Sequence, residues 1–179
     1  EIITPRRVVY LLDAASRFEQ HLLETWIAEH APEGTTPDAI PIPSYRRARR
    51  RRLDPRLEAC VATEDDPLLA PLRVAWLPPD RNGRRQLRLR ELLTFGDPRD
   101  PPIWKQRWLA RRYPDRVGVI AGESAPVSEL RERWRRNVTA ETTGLAEFVV
   151  RQATLTLERA ERRFRGNRYK VPRLVNEDI

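Results

Sequence analysis

The hydrophobic positions of this chain fall into two patterns, short continuous runs and helical stripes. Residues 7–13 contain the run Val8–Leu12, and continuous runs of this length are typical of strands covered on both faces of a parallel sheet. Shorter or similar runs predict three further strands, at 39–43, 73–77 and 116–121. Helical spacing follows the three longer runs, at 16–30, 101–112 and 128–136. The pattern predicts an α/β fold in which a small, mainly parallel sheet has flanking helices.

Three sequence signals predict where these helices begin. Ser16-x-x-Glu19 is a capping box at the start of the first helix. Asp100-Pro101 predicts an N-cap followed by proline at the first helical position, and Ser128 is predicted to cap the third helix. All five tryptophans are predicted to lie in the core because they fall on apolar faces: Trp26, Trp76, Trp104, Trp108 and Trp134.

A long amphipathic helix is predicted to close the fold. One apolar stripe joins six positions at steps of three or four: Leu145, Val149, Ala153, Thr156, Ala160 and Phe164. A stripe this regular predicts that residues 145–164 pack on the α/β layer through Val149, Ala153, Ala160 and Phe164. Gly166-Asn167 is predicted to end the helix. Four residues of the following basic segment are candidates for a connector to a further domain: Arg168, Tyr169, Lys170 and Arg173.

These patterns divide the chain into two predicted parts. Residues 1–144 form an α/β domain that carries a proline- and arginine-rich loop at about 33–66, with a short helix predicted at 53–61. Residues 145–179 form the closing helix and the basic connector. Six arginines crowd into seven positions of the loop and are candidates for contact with an anionic surface: Arg46, Arg47, Arg49, Arg50, Arg51 and Arg52. The alternative for this run is a solvated loop, since dense like charge favours exposure.

Composition changes this picture in two ways. The net charge of +8 suggests a phosphate-bearing partner, either nucleic acid or an anionic membrane. However, arginine greatly outnumbers lysine beside many alanines and prolines, so much of the charge is interpreted as a compositional bias offset by 26 acidic residues. The chain begins at Glu1 and contains no Met, so we expect it to be a piece of a longer protein. A single cysteine, Cys60, fits a reducing cytoplasm.

No motif in the sequence predicts a cofactor or a metal. A glycine-rich phosphate loop, zinc-ligand spacing and a G-x-S-x-G nucleophile elbow are all missing from the sequence. His21 and His30 fall on the first predicted helix and are interpreted as ordinary helix positions.

Several segments, in this order, resemble a known family: the strand and helix of 8–30, DPLLAPLRVAWLPPDRNGR at 66–84, SELRERW at 128–134, LAEFVVRQ at 145–152 and ERAERRFRGNRYKVPRLV at 158–175. Together they resemble the region that precedes the catalytic domain in the large bacterial glycerol-3-phosphate 1-O-acyltransferases. The resemblance covers nearly the whole chain, although none of these segments is a catalytic motif and the arginine run has no clear counterpart.

The resemblance implies a parent enzyme in phospholipid biosynthesis. The parent would transfer a fatty acyl group from acyl-CoA or acyl carrier protein to the sn-1 hydroxyl of glycerol-3-phosphate, at the cytoplasmic side of the cell membrane as a peripheral protein. Its H-x-x-x-x-D motif would lie beyond Ile179, because the fifth residue after His21 is Trp26 and the fifth after His30 is Thr35. The chain is therefore expected to be a soluble, non-catalytic N-terminal domain whose partner is its own catalytic domain.

Two other functions remain as alternatives. The charge alone would suit a nucleic-acid-binding fragment, but only Tyr45 supplies an aromatic side chain beside the arginine run, so nucleic acid is the less favoured partner. The predicted fold would also suit an independent small α/β enzyme or scaffold domain.

Overall fold

The computed structural model describes residues 7–31, 37–44, 52–78, 80–81, 84–85, 100–137 and 143–165. The strands are β1 (Val8–Asp13), β2 (Asp38–Ile42), β3 (Leu68–Trp76), β4 (Asp80–Arg81), β5 (Arg84–Arg85), β6 (Val117–Ala121) and β7 (Ala125–Pro126). The helices are α1 (Arg17–His30), α2 (Pro55–Ala62), α3 (Ile103–Arg112), α4 (Val127–Arg135) and α5 (Leu145–Arg165), and a short 3-10 turn spans Pro114–Arg116. The predicted α/β class is confirmed.

The main sheet is parallel on one side and antiparallel on the other. The strand order is β2-β1-β3-β6, with β7 also paired to β3, and β4 and β5 form a separate two-stranded sheet. β1 runs parallel to β2 and β3, whereas β6 and β7 run antiparallel to β3. The backbone N–H of Leu77, just after β3, donates to the carbonyl of Arg116, just before β6, at 2.8 Å. The chain that leaves β3 and passes through α3 therefore begins β6 beside the end of β3. β6 consequently runs antiparallel to β3, and not parallel to it as a crossover connection would require.

Helices cover both faces of this sheet. β1 connects to β2 through α1, which packs with α3 on one face around Leu12, Leu23, Leu72, Trp76 and Leu109. β2 connects to β3 through α2, which packs with α4 and α5 on the opposite face around Leu11, Leu57, Leu69, Leu130 and Val149. Because both faces are covered, β1 and β3 are apolar almost throughout, as their continuous hydrophobic runs predicted.

A β-bulge lies at the proline of the central strand. Between the pairs Leu72–Ala121 and Leu69–Ala125, three residues at 122–124 face two residues of β3. Pro71 has no N–H to donate to the ladder, and its carbonyl instead accepts a hydrogen bond from the Gly122 N–H at 2.9 Å. A proline is tolerated in a central strand at such a bulge. The missing side chain of Gly122 lets α5 approach closely, since a Cβ there would lie 2.6 Å from Thr156 Oγ1.

The structure confirms one of the three predicted caps and corrects the other two. Ser16 caps α1, and its Oγ accepts a hydrogen bond from the Glu19 N–H at 3.1 Å. α3 begins at Ile103 with Pro102 at its N-cap, so Asp100 is not the cap. Ser128 lies inside α4, where its N–H donates to Asp66 Oδ1 at 2.6 Å. Asp66, which has a positive φ of 49°, comes from a loop far away in sequence, and therefore local sequence signals could not identify it.

The closing helix packs on the sheet as predicted, except at its last turn. Val149, Ala153 and Leu157 are buried, and α5 contacts both β3 and β6. Phe164 is 51% exposed, although its ring edge lies beside Gly118. The predicted burial of Phe164 was therefore wrong, because the helix end lies at the rim of the sheet, where one side of the ring faces solvent.

All five tryptophans were predicted to lie in the core, and for two of them this was wrong. Trp76 is buried, but Trp104 and Trp108 are 69% and 52% exposed. α3 turns Gln106 and Leu109 toward the protein instead, so its buried side is centred away from both indoles. Helical spacing gave the right element here but the wrong face.

The proline- and arginine-rich stretch contains two ordered elements, β2 and α2, close to the short strand and helix predicted there. Pro41 is tolerated because β2 is an edge strand. Asp54 caps α2, with Pro55 in its first turn.

Candidate functional site

The buried polar residues gather at one end of the sheet. Within the described ranges they are Asp13, Ser16, Glu19, Arg73 and Gln106, all at most 4% exposed. β2 and β3 lie on opposite sides of β1, and their crossover helices lie on opposite faces. In open α/β sheets such a change of direction leaves a crevice at the carboxyl ends of the strands, where ligands commonly bind. We therefore take this carboxyl edge of β1 and β3 as the candidate site.

On the α5 face, one arginine joins two carboxylates. Arg73 and Asp13 are neighbours in the β1–β3 register. The Arg73 Nε donates to Asp13 Oδ2 at 2.7 Å, Nη2 donates to the same oxygen, and Nη1 donates to Glu161 Oε2 at 3.0 Å. The side chains of Asp13 and Arg73 are fully buried, and that of Glu161 is 15% exposed. This cluster fixes the C-terminal half of α5 to the middle of the sheet.

Among the described residues, the second carboxylate oxygen of Asp13 has no hydrogen-bond partner, although it is buried. Buried polar atoms are nearly always paired, and leaving one unpaired costs about 1–3 kcal/mol. The hydroxyl of Ser44, two residues after β2, is likewise buried without a partner among the described residues.

On the opposite face, Glu19 is held by a saturated network. Its Oε1 accepts hydrogen bonds from Trp76 Nε1 at 2.8 Å and Gln106 Nε2 at 3.3 Å, and its Oε2 accepts from the Ala15 N–H at 2.8 Å. Ser16 Oγ donates to Gln106 Oε1 at 2.7 Å. The carboxylate also lies at the N-terminus of α1, where the helix dipole favours negative charge. This network joins α1, β3 and α3, and we interpret it as structural.

Neither histidine belongs to the candidate site. Both lie on exposed positions of α1. The ring of His30 stacks on Trp26 at a centroid distance of 4.3 Å, and its Nδ1 lies 2.8 Å from the Trp26 carbonyl oxygen. No described carboxylate forms an ion pair with either ring. Both therefore lie on α1, the helix on which the sequence analysis placed them.

The amino ends of the strands carry a second, exposed set of charges. Arg7 Nη2 lies 2.7 Å from Asp38 Oδ2, and this hydrogen bond raises the pKa of Arg7. The Arg56 side chain donates to Asp54 and lowers the pKa of that carboxyl.

Burial raises the pKa of the Cys60 thiol. Because a neutral, buried thiol is a poor nucleophile, Cys60 acts as a core residue.

A small cavity lies beside the β-bulge, between the sheet, α4 and α5. It is lined in part by Pro71, Glu123, Arg133, Gln152 and Thr156, and its volume is about 20 Å³. That space is enough for about one water molecule. Across the described residues no group of three or more histidine, cysteine or acidic side chains could hold a metal ion. In the same part of the chain, each helix is either too short or too polar to cross a bilayer.

Of the contact and connector residues singled out from the sequence, Arg52 alone lies within the described ranges. Arg52 is exposed just before α2. The other arginines of the run, Arg46, Arg47, Arg49, Arg50 and Arg51, lie outside the described residues, and so do Arg168, Tyr169, Lys170 and Arg173. Sequence reasoning missed Asp13, Arg73 and Glu161. A signal was present, since Asp13 closes one apolar strand and Arg73 interrupts another, and charges inside such runs are buried and paired.

Comparison with known proteins gives no assignment. No protein-family model matches the chain, and no solved structure matches it with significance.

Proposed function

We propose that the chain is the non-catalytic N-terminal domain of a glycerol-3-phosphate 1-O-acyltransferase. The parent would transfer a fatty acyl group from acyl-CoA or acyl carrier protein to the sn-1 hydroxyl of glycerol-3-phosphate. The resemblance described above supports the assignment, because its segments occur in the family's order over nearly the whole chain. The residues that perform the chemistry would then lie in the segment that follows residue 179.

The observation that carries the proposal is the way in which α5 is attached. Its first half packs on the sheet through Val149 and Ala153, and its second half is held by the Arg73–Glu161 ion pair. A helix fixed at both places would deliver the chain to one defined position at the carboxyl edge of the sheet. Such an arrangement suits a domain that positions a following domain. In this role Arg168, Tyr169, Lys170 and Arg173 would form the connector.

Two experiments test the assignment. Purified chain, radiolabelled glycerol-3-phosphate and acyl-CoA or acyl-carrier-protein donor should yield no lysophosphatidate above a control without protein. Reading the gene beyond codon 179 should reveal a His-x-x-x-x-Asp motif followed by a Pro-Glu-Gly block. Product formed by the chain alone, or an open reading frame without that motif, would contradict the proposal.

A split-protein assay then tests the positioning role. In a strain that lacks glycerol-3-phosphate acyltransferase, the chain and the following segment should restore growth when expressed together, and neither should do so alone. Growth supported by the following segment alone would show that this domain positions nothing.

A further inference from the structure

α3 presents an unusual exposed face. Ile103, Trp104 and Trp108 are 44%, 69% and 52% exposed, while Gln106 and Leu109 on the other side are buried. Residues three or four apart lie side by side on a helix, so the two indoles form one patch, with Ile103 at its edge. Exposing two indoles costs hydrophobic free energy, and contiguous apolar patches of this kind commonly mark interaction sites.

Basic side chains flank this patch. Residues 103–116 contain five basic residues and one acidic residue. Arg107, Arg111 and Arg112 are exposed and form no ion pair with any carboxylate of the described ranges. The Arg112 guanidinium lies 5.4 Å from the centroid of the Tyr113 ring, which also packs edge-on against Trp108 at 5.4 Å. The patch is therefore aromatic at its centre and cationic at its margins.

This combination matches the surface of an anionic bilayer. Tryptophan favours the interface between lipid headgroups and acyl chains, and arginine beside it binds lipid phosphate. Single-stranded nucleic acid, the other anionic partner that aromatic residues can bind, is usually held in a groove that follows its backbone. The α3 patch is instead the outer face of a helix, and Ile103 adds aliphatic surface that serves insertion rather than base stacking.

We propose that α3 is a membrane-contact helix. Ile103, Trp104 and Trp108 enter the headgroup region of an anionic membrane, and Arg107 and Arg111 bind lipid phosphates. The contact is interfacial, as expected of a helix of 10 residues with its opposite side packed on the protein. It does not depend on the proposed function, and it uses a surface distinct in sequence from the arginine run at 46–52.

Vesicle flotation of the full 179-residue chain tests the proposal. The chain should float with vesicles of equal phosphatidylglycerol and phosphatidylcholine, and only weakly with phosphatidylcholine alone. Trp104→Ser with Trp108→Ser should lower the association constant at least about tenfold, because two indoles no longer leave water. Arg107→Ser with Arg111→Ser should lower it roughly 30-fold, and that difference should shrink at high salt as charges are screened.

Two control variants test whether vesicle binding depends on the α3 surface or only on the net charge of the chain. Arg151→Ser with Arg159→Ser removes the same charge from exposed positions of α5, and Leu155→Ser removes an exposed apolar side chain from that helix. Both should float like the parent chain, and thermal melts should show that every variant folds. The proposal is wrong if the α5 arginine variant loses as much binding as the α3 variant, or if the tryptophan variant floats like the parent. It is also wrong if the chain ignores vesicles and binds oligothymidylate through Trp104 and Trp108.

Discussion

Replacing Arg73 with methionine tests whether buried charge holds α5 on the sheet. The substitution keeps most of the aliphatic volume but removes the donors with which Arg73 reaches Asp13 and Glu161. Asp13 is fully buried and one of its oxygens has no partner among the described residues, so the variant would leave neither oxygen with a partner there. Removing one member of a buried ion pair typically costs about 3–5 kcal/mol. Since small domains are stable by only about 5–15 kcal/mol, the loss would be a large part of the total.

Urea denaturation followed by circular dichroism measures this loss. For a slope of about 2 kcal/mol per molar urea, the midpoint should fall by about 2 M. Arg133→Met is the matched control, because Arg133 is also paired with a glutamate, Glu129, but its side chain is 46% exposed. That variant should lose less than about 1 kcal/mol, as exposed pairs do.

A compensated variant identifies the origin of the effect. Asp13→Leu, Arg73→Met and Glu161→Leu together remove all three charges and should recover most of the lost stability, since the cost comes from unpaired buried charge rather than from a missing attraction. The reasoning is refuted if the free energy of unfolding of the Arg73→Met variant lies within about 1 kcal/mol of that of the parent chain. It is also refuted if the compensated variant is no more stable than the single one.

Three further predictions follow from the packing and the caps. Gly122→Val should destabilise the chain by about 1–3 kcal/mol, because its Cβ would meet α5. Gly144→Ala is the control and should be nearly neutral, since nothing lies within 4 Å of the new Cβ. Equal urea midpoints for the two variants would contradict the close approach of α5 to Gly122. Leu157→Ala should cost about 2–5 kcal/mol because Leu157 is fully buried, and Phe164→Ala should cost less than half as much; the reverse order in the same assay would place Phe164 in the core. The hydrogen bond from Arg56 lowers the pKa of Asp54 in the folded chain below its ordinary value of 3.8. The ionised Asp54 cap therefore contributes its full stabilisation above the unfolded-state pKa, and this contribution is lost as the pH falls through the lower pKa of the folded state. Asp54→Asn should remove that component from stability measured against pH, and an unchanged profile would show that the carboxylate contributes nothing.

Much of the fold could be predicted because it depends on local pattern. The continuous run of β1 and the capping box at Ser16 are determined by nearby residues, so the strand and the start of α1 were predictable. The stripe through Val149 and Ala153 likewise predicted the buried face of α5. The candidate site was less predictable, since Asp13 and Arg73 are 60 residues apart and only the strand register brings them together.

The sequence alone located the described helices and, in whole or in part, the strands β1, β2, β3 and β6, because hydrophobic periodicity and caps act within a few residues. Only the tertiary structure decided which face of α3 is buried, since Gln106 is retained inside by the Glu19 network and both indoles are consequently turned to solvent. It also decided that β6 is antiparallel, that Asp66 caps α4, and that Arg73 is shared by β1 and α5. Each of these depends on contacts between residues distant in sequence, whose partners are chosen by the packing of the whole layer and not by any local preference.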